Sequence, residues 1–197
     1  MAFKDLAEAI DSDKTQRDRL IAIYIGVLAV ILAIASVGGG NATKDATARN
    51  IEAANTWAFF QAKNIRRHEI RLQISEFEVL LASEPTLPGP ARAMIEERIA
   101  KLRKDEARYT SEPETGEGTQ ELTAKARELE KQRDRAMAKD PYFDYGQALL
   151  QIAIVLASVA IITGGTALLG LSGILAALGT LLTANGFFLV YSVPFIG

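Results

Sequence analysis

The chain has 197 residues, 23% of them charged, with 22 Lys+Arg set against 24 Asp+Glu and a net charge of -2. That balance gives no general electrostatic pull toward nucleic acid, so no nucleic-acid partner is expected. The absence of cysteine excludes disulfides, thiolate metal sites, cysteine nucleophiles and palmitoyl anchors.

The 49% apolar composition conceals a partition: residues 20–43 and 145–197 carry no charge at all. A charge at the bilayer centre costs about 2.5–3.5 kcal/mol on insertion scales, so long charge-free apolar runs are what a membrane requires. The sequence therefore predicts an all-α membrane protein with three transmembrane helices. A long antiparallel, coiled-coil-like helical hairpin lies between the first and second. The lipid bilayer is its first expected partner.

Residues 1–19 read as an N-terminal tail or a small interfacial helix, with Phe3, Leu6 and Ile10 on one helical face. Asp5, Glu8, Asp11, Asp13 and Asp18 are unlike the basic start of a signal peptide, so an uncleaved anchor is expected. Residues 20–38 form the first span, and Gly38, Gly39 and Gly40 predict a break or hinge after it, because glycine loses much backbone entropy in a helix. The charged segment, 39–146, divides at its prolines and glycines into helices near 43–83, 91–110 and 119–139. In the first of these, Ile70, Ile74, Phe77 and Leu81 keep the 4-3-4 spacing of a coiled-coil seam, and Ile65, Leu72 and Val79 form a second stripe at spacing seven. Ile95, Ile99, Leu102 and Tyr109 continue the seam spacing in the second, with Glu106 in the missing position; Leu122, Ala126 and Leu129 supply it in the third. The first helix must then pair antiparallel with the other two.

Pro141 is expected to stop the third helix, with residues 140–146 leading back to the membrane and three aromatics at headgroup level. The uncharged remainder is too long for one crossing of a ~30 Å hydrocarbon core. It predicts two spans, 147–163 and 166–190, turning at Gly164-Gly165, and a C-terminal tail over 191–197. Three spans put the N-terminus on one side and the hairpin and C-terminus on the other. Arg17 and Arg19 beside the first span, against an uncharged flank after it, place the N-terminus in the cytoplasm. The longer basic list on the hairpin side (Lys44, Arg49, Arg133, Arg135, Lys139) argues the reverse by simple count.

Chemistry-bearing patterns are sparse. Ser172, Ala176, Thr180 and Ala184 recur every four residues in the last span, and such small faces let helices approach closely, within a chain or between copies. The spans hold no ionisable group of the kind that proton relays and pumps use. Thr180, Thr183 and Asn185 are the polar candidates for lining a path. His68 stands alone on a charged helix, and Asp140 and Asp144 suit capping and turn formation. No catalytic residue, cofactor, metal or small-molecule substrate is predicted.

Trp57, Phe59 and Phe60 crowd four helical positions and cannot share one face, which suggests a second contact. The segment WAFFQAKNIRR at 57–67, followed by DPYFDYGQ at 140–147 and an uncharged two-helix tail, resembles a bacterial membrane-protein family known only as a domain of unknown function, from about Asn41 onward. The resemblance implies a bacterial inner-membrane protein and brings no activity with it. The expected function is non-enzymatic: a structural or accessory subunit that self-associates or binds a larger membrane complex. Trp57, Phe59, Phe60, Ser172, Ala176, Thr180 and Ala184 are its candidate partner-binding residues. The alternative is an oligomeric channel or transporter subunit whose second and third spans line a path.

Overall fold

A computed structural model describes the backbone of residues 2–192 and side chains from Gln16 to Ser192. The expected Phe3, Leu6 and Ile10 face and residues 193–197 of the expected tail lie outside the described residues. Among those described there are five helices and no strand: α1 (Ala2–Ser83), α2 (Gly89–Thr110), α3 (Thr119–Met137), α4 (Asp140–Thr163) and α5 (Thr166–Phe188). They divide into an apolar unit, Met1–Ala46 with Asp134–Gly197, and a charged unit, Thr47–Arg133. Three helical stretches, within Gln16–Ser83, Thr119–Thr163 and Thr166–Phe188, are long and apolar enough to cross a membrane.

In the apolar unit each helix buries one heptad-spaced edge. On α4 it is Phe143, Gly146, Leu150, Ala153, Ala157 and Ala160; on α5 it is Ser172, Ala176, Gly179, Thr183 and Gly186. On α1 it is Ile21, Leu28, Ala35 and Ala42, spaced by seven. Alternating steps of three and four keep one edge toward a neighbour crossing at a shallow angle. Most of these side chains are small, which suits helices in lipid: lipid is as apolar as leucine, so helices there would gain only by approaching closely. The large apolar residues, among them Ile23, Val30, Val155, Ile174 and Leu181, are exposed instead. The outward face is thus what lipid would solvate.

Three sequence expectations change here. First, α1 has no break at the glycines. Gly38 and Gly39 are buried in unbroken helix, and a Cβ on Gly38 would lie 2.5 Å from the Phe143 ring and 2.9 Å from Phe187. These glycines are absences that a ring fills, and that packing offsets their entropic cost. Second, residues 140–146 are not a lead-in loop: Pro141 occupies the first turn of α4, where a missing N–H costs nothing. Third, the last helix stops at Phe188, not 190, because Leu189 turns left-handed with φ 50° and Asn185 holds Tyr191 by both its N–H and its carbonyl. α4 ends on Gly164, whose φ of 72° suits only glycine well, and the chain turns directly into α5.

The charged unit is an antiparallel hairpin with α1 as one arm and α2 followed by α3 as the other. Cross-arm partners show the direction: Glu78 with Arg103 at 2.6 Å, Arg71 with Glu106, Arg67 with Thr119 at 3.1 Å, Trp57 with Glu130 at 2.9 Å and Asn50 with Arg133 at 3.3 Å. Numbers rise along one arm as they fall along the other. Ile74, Ile99 and Leu102 form a buried cluster under Ile70, Phe77, Leu81 and Ile95. Leu122, Ala126 and Leu129 are buried along α3.

One carboxylate helps to fasten the α2–α3 junction, beside the bond from the Thr119 hydroxyl to the Thr110 carbonyl at 3.2 Å. Glu121 accepts from the Ser111 hydroxyl at 2.6 Å and from the Glu112 N–H at 3.2 Å. The Ser111 hydroxyl first, then the backbone N–H of Glu121 itself and that of Glu112, hold its carboxyl below the usual glutamate range. Its contribution to stability is therefore complete above the ordinary carboxylate pKa and is lost as the pH falls through the depressed folded value. The protection of the amides in residues 111–118, measured against the intrinsic exchange rate at the same pH, is expected to fall as the pH drops below about 4. Glu121→Ala should show that lower protection already at neutral pH; unchanged protection in the variant would refute the assignment.

Candidate interaction surfaces

The structure brings the WAFFQAK segment together with α3 and with the α2–α3 junction of the opposite arm. The half-buried Trp57 donates its indole N–H to Glu130 Oε1 at 2.9 Å, and its ring meets Phe60 edge-on, centroids 5.4 Å apart. Phe59 takes another direction. Its ring lies 5.3 Å from Lys63 Nζ, which also sits 5.2 Å from the Tyr109 ring. Glu117 at 3.3 Å and Glu112 at 4.0 Å complete the surroundings of Lys63, whose side chain is only 11% exposed. An ammonium held between two ring faces and two carboxylates is well satisfied, so it acts as a bolt joining α1 to the junction loop. Of the three aromatics named as partner-binding candidates, Trp57 and Phe60 are turned largely to their own hairpin. Phe59 keeps 39% exposure.

Beside them runs an open surface groove of 440 Å³ whose lining includes Phe60, Arg67, Thr119, Thr123 and Arg127. Arg67 is already engaged, donating to Asn64 at 2.7 Å and to Thr119 at 3.1 Å. Among the described residues no three His, Cys, Asp or Glu side chains converge as a metal would need.

The DPYFDYGQ segment has a matching role in the apolar unit. Phe143 is 1% exposed and stacks edge-on against Phe187 at 4.9 Å. A Cβ on Gly38, Gly39 or Gly186 would meet its side chain at 2.5–3.2 Å. One turn on, Gly146 lies against Gly179, where an added Cβ would come within 2.9 Å of the Gly146 carbonyl oxygen. The Tyr142 hydroxyl donates to the Tyr191 carbonyl at 3.2 Å.

The four-residue stripe of α5 separates into two pairs. Ser172 and Ala176 are buried within the chain, while Thr180 is half-buried and Ala184 exposed. A strict step of four advances 40° per repeat on a 3.6-residue helix, so the stripe drifts off the seam that Gly179 and Thr183 continue. Ser172 is a three-helix node: its hydroxyl donates to the Ala153 carbonyl of α4 at 2.6 Å and lies 3.1 Å from the Tyr24 hydroxyl of α1. Thr180, Thr183 and Asn185, the candidate path-lining residues, bond their own chain's backbone at Ala176, Gly179 and Tyr191.

The sequence profile of a family described as Domain of unknown function (DUF4337) matches residues 17–189. The chain belongs to the DUF4337 family. The match takes in both aromatic segments and begins well before Asn41, so the first apolar stretch is part of the DUF4337 domain. No curated protein and no solved structure matches the chain.

Proposed function

We propose that this DUF4337 protein is a non-enzymatic, multi-pass protein of the bacterial inner membrane that works by binding, as a structural or accessory subunit. One observation carries the reading: the charged unit leaves a set of large apolar side chains uncovered, with Ile51, Ile65, Leu72, Val79 and Met94 each at least 52% exposed. Several of its charged groups, by contrast, pair within the hairpin, as Arg71 does with Glu106 and Arg103 with Glu78. Exposed apolar rows rimmed by charge mark interaction surfaces. In the apolar unit, Thr180 and Ala184 are the part of the small-residue face that α4 and α1 leave open to a further helix. The N-terminus is assigned to the cytoplasm and the charged unit to the opposite side, on the basic flank of the first span.

The test is purification of the full chain in mild detergent after cross-linking in its native membrane, with mass spectrometry of what accompanies it. A reproducible complex of defined mass, with itself or another membrane protein, is the expected result. A monomer that brings nothing with it would reject the reading.

A further inference from the structure

In the charged unit α1 presents two faces. The inner one carries the buried cluster. On the opposite one, Ile51, Ala58, Ile65, Leu72 and Val79 recur every seven residues, and all five are exposed. Three residues after each stands a small or polar one: Ala54, Gln61, His68, Ser75 and Ala82, exposed as well. Together they make an uninterrupted 3-4 repeat over more than four heptads, about 42 Å from Ile51 to Val79 at helical rise. A heptad track of that length, apolar at the seven-spaced row and small or polar at the other, has the spacing of a coiled-coil seam, and among the described residues nothing covers it.

We propose that a second copy of this chain covers the track, the two α1 helices lying parallel and in register; this rests on the reading of the protein as a binding protein of one membrane. The charges beside the track favour that arrangement. The positions following the small row include Glu69 and Glu76, both acidic, and the opposite flank holds Trp57, Asn64, Arg71 and Glu78, of which Arg71 and Glu78 also pair with Glu106 and Arg103 of their own hairpin. In a parallel pair each residue of the second flank meets the partner residue five positions on, which sets Arg71 against Glu76 and Asn64 against Glu69. An antiparallel pair would set the two acidic flanks against each other. Copies inserted with one topology also stand the same way up, so parallel contact needs no rearrangement. β-branched residues at three of the five seven-spaced positions favour two strands, and a polar residue such as Gln61 in the seam, meeting its own counterpart, fixes register.

The test exploits the lack of cysteine in the described residues. Single variants Ile65→Cys, Leu72→Cys and Val79→Cys of the full chain are oxidised in native membranes. In-register parallel helices place each thiol opposite itself, so each variant is expected to run at doubled mass on a non-reducing gel. Gln73→Cys, exposed on the same helix but off the track, is expected to stay monomeric. Adding Ile65→Glu to Val79→Cys should abolish the cross-link while far-UV circular dichroism keeps its helical signal, since Ile65 is exposed. No dimer at any track position overturns the proposal, as does equal cross-linking of Gln73→Cys, which means random collision. Capture of a different membrane protein without self-cross-linking also overturns it, while leaving the broader binding role standing.

Discussion

Gly38→Ala is expected to destabilise the apolar unit by about 1–3 kcal/mol, the usual cost of forcing a methyl group into filled space. Gly40→Ala is expected to stabilise it by up to about 1 kcal/mol, the helix-propensity difference. The two sites are two residues apart in the same helix. They differ in surroundings: a Cβ at Gly38 meets Phe143 at 2.5 Å, whereas nothing lies within 4 Å of one at Gly40. Phe143 cannot easily step aside, being 1% exposed and hemmed by Gly39, Gly186 and Phe187. If the three glycines were a hinge, both substitutions would stiffen it and act in the same direction. Thermal unfolding in mild detergent, followed by circular dichroism, distinguishes the cases. Phe143→Leu in the Gly38→Ala background should recover part of the loss, because neighbours that share one space are not additive. Equal effects at both glycines would return the hinge.

Trp57→Ala should cost the charged unit about 2–4 kcal/mol, somewhat under the usual range for a fully buried ring because Trp57 is half-buried. The loss should be local. Trp57 ties α1 to Glu130 of α3, while the Ile74, Ile99 and Leu102 cluster ties α1 to α2. Hydrogen exchange on the full chain should therefore show α3 losing protection before α2. Trp57→Phe retains the ring contact with Phe60 and removes only the N–H, leaving Glu130 without that donor, and should cost about 1 kcal/mol. Uniform loss of protection along both arms would show that the hairpin opens as one piece.

Much of the fold was written in the charge pattern and the heptads. Charge-free runs marked the apolar helices, and Ile70, Ile74, Phe77 and Leu81 marked the α1 face that turns inward. That inward face also runs back through Arg67, Lys63, Phe60 and Thr56 to Ala53, which the apolar pattern did not reveal. Lys63 and Arg67 occupy seam positions with charged groups, satisfied by Phe59, Tyr109 and Thr119. A periodicity search counts them as interruptions. The aromatics at 57–60 drew notice as an excess seeking a partner, but Trp57 finds one across the hairpin at Glu130, too distant in sequence to pair by inspection, and Phe60 packs on the Trp57 ring. The glycines misled for a related reason. Their entropic cost is a local property, while the ring that occupies their missing side chains arrives from about a hundred residues away. The α5 stripe was legible only as far as Ser172 and Ala176, because a step of four follows the seam for one turn and then leaves it.

The Tyr24, Ser172 and Ala153 node also sets a schedule for biogenesis. Tyr24 and Ser172 are 148 residues apart, so at roughly 5–20 residues per second the ribosome makes the second several seconds to half a minute after the first. Through that interval the first apolar stretch has neither its hydroxyl partner nor the phenylalanine that fills its glycine notch. A nascent chain stalled or truncated before α4 would present that notch empty.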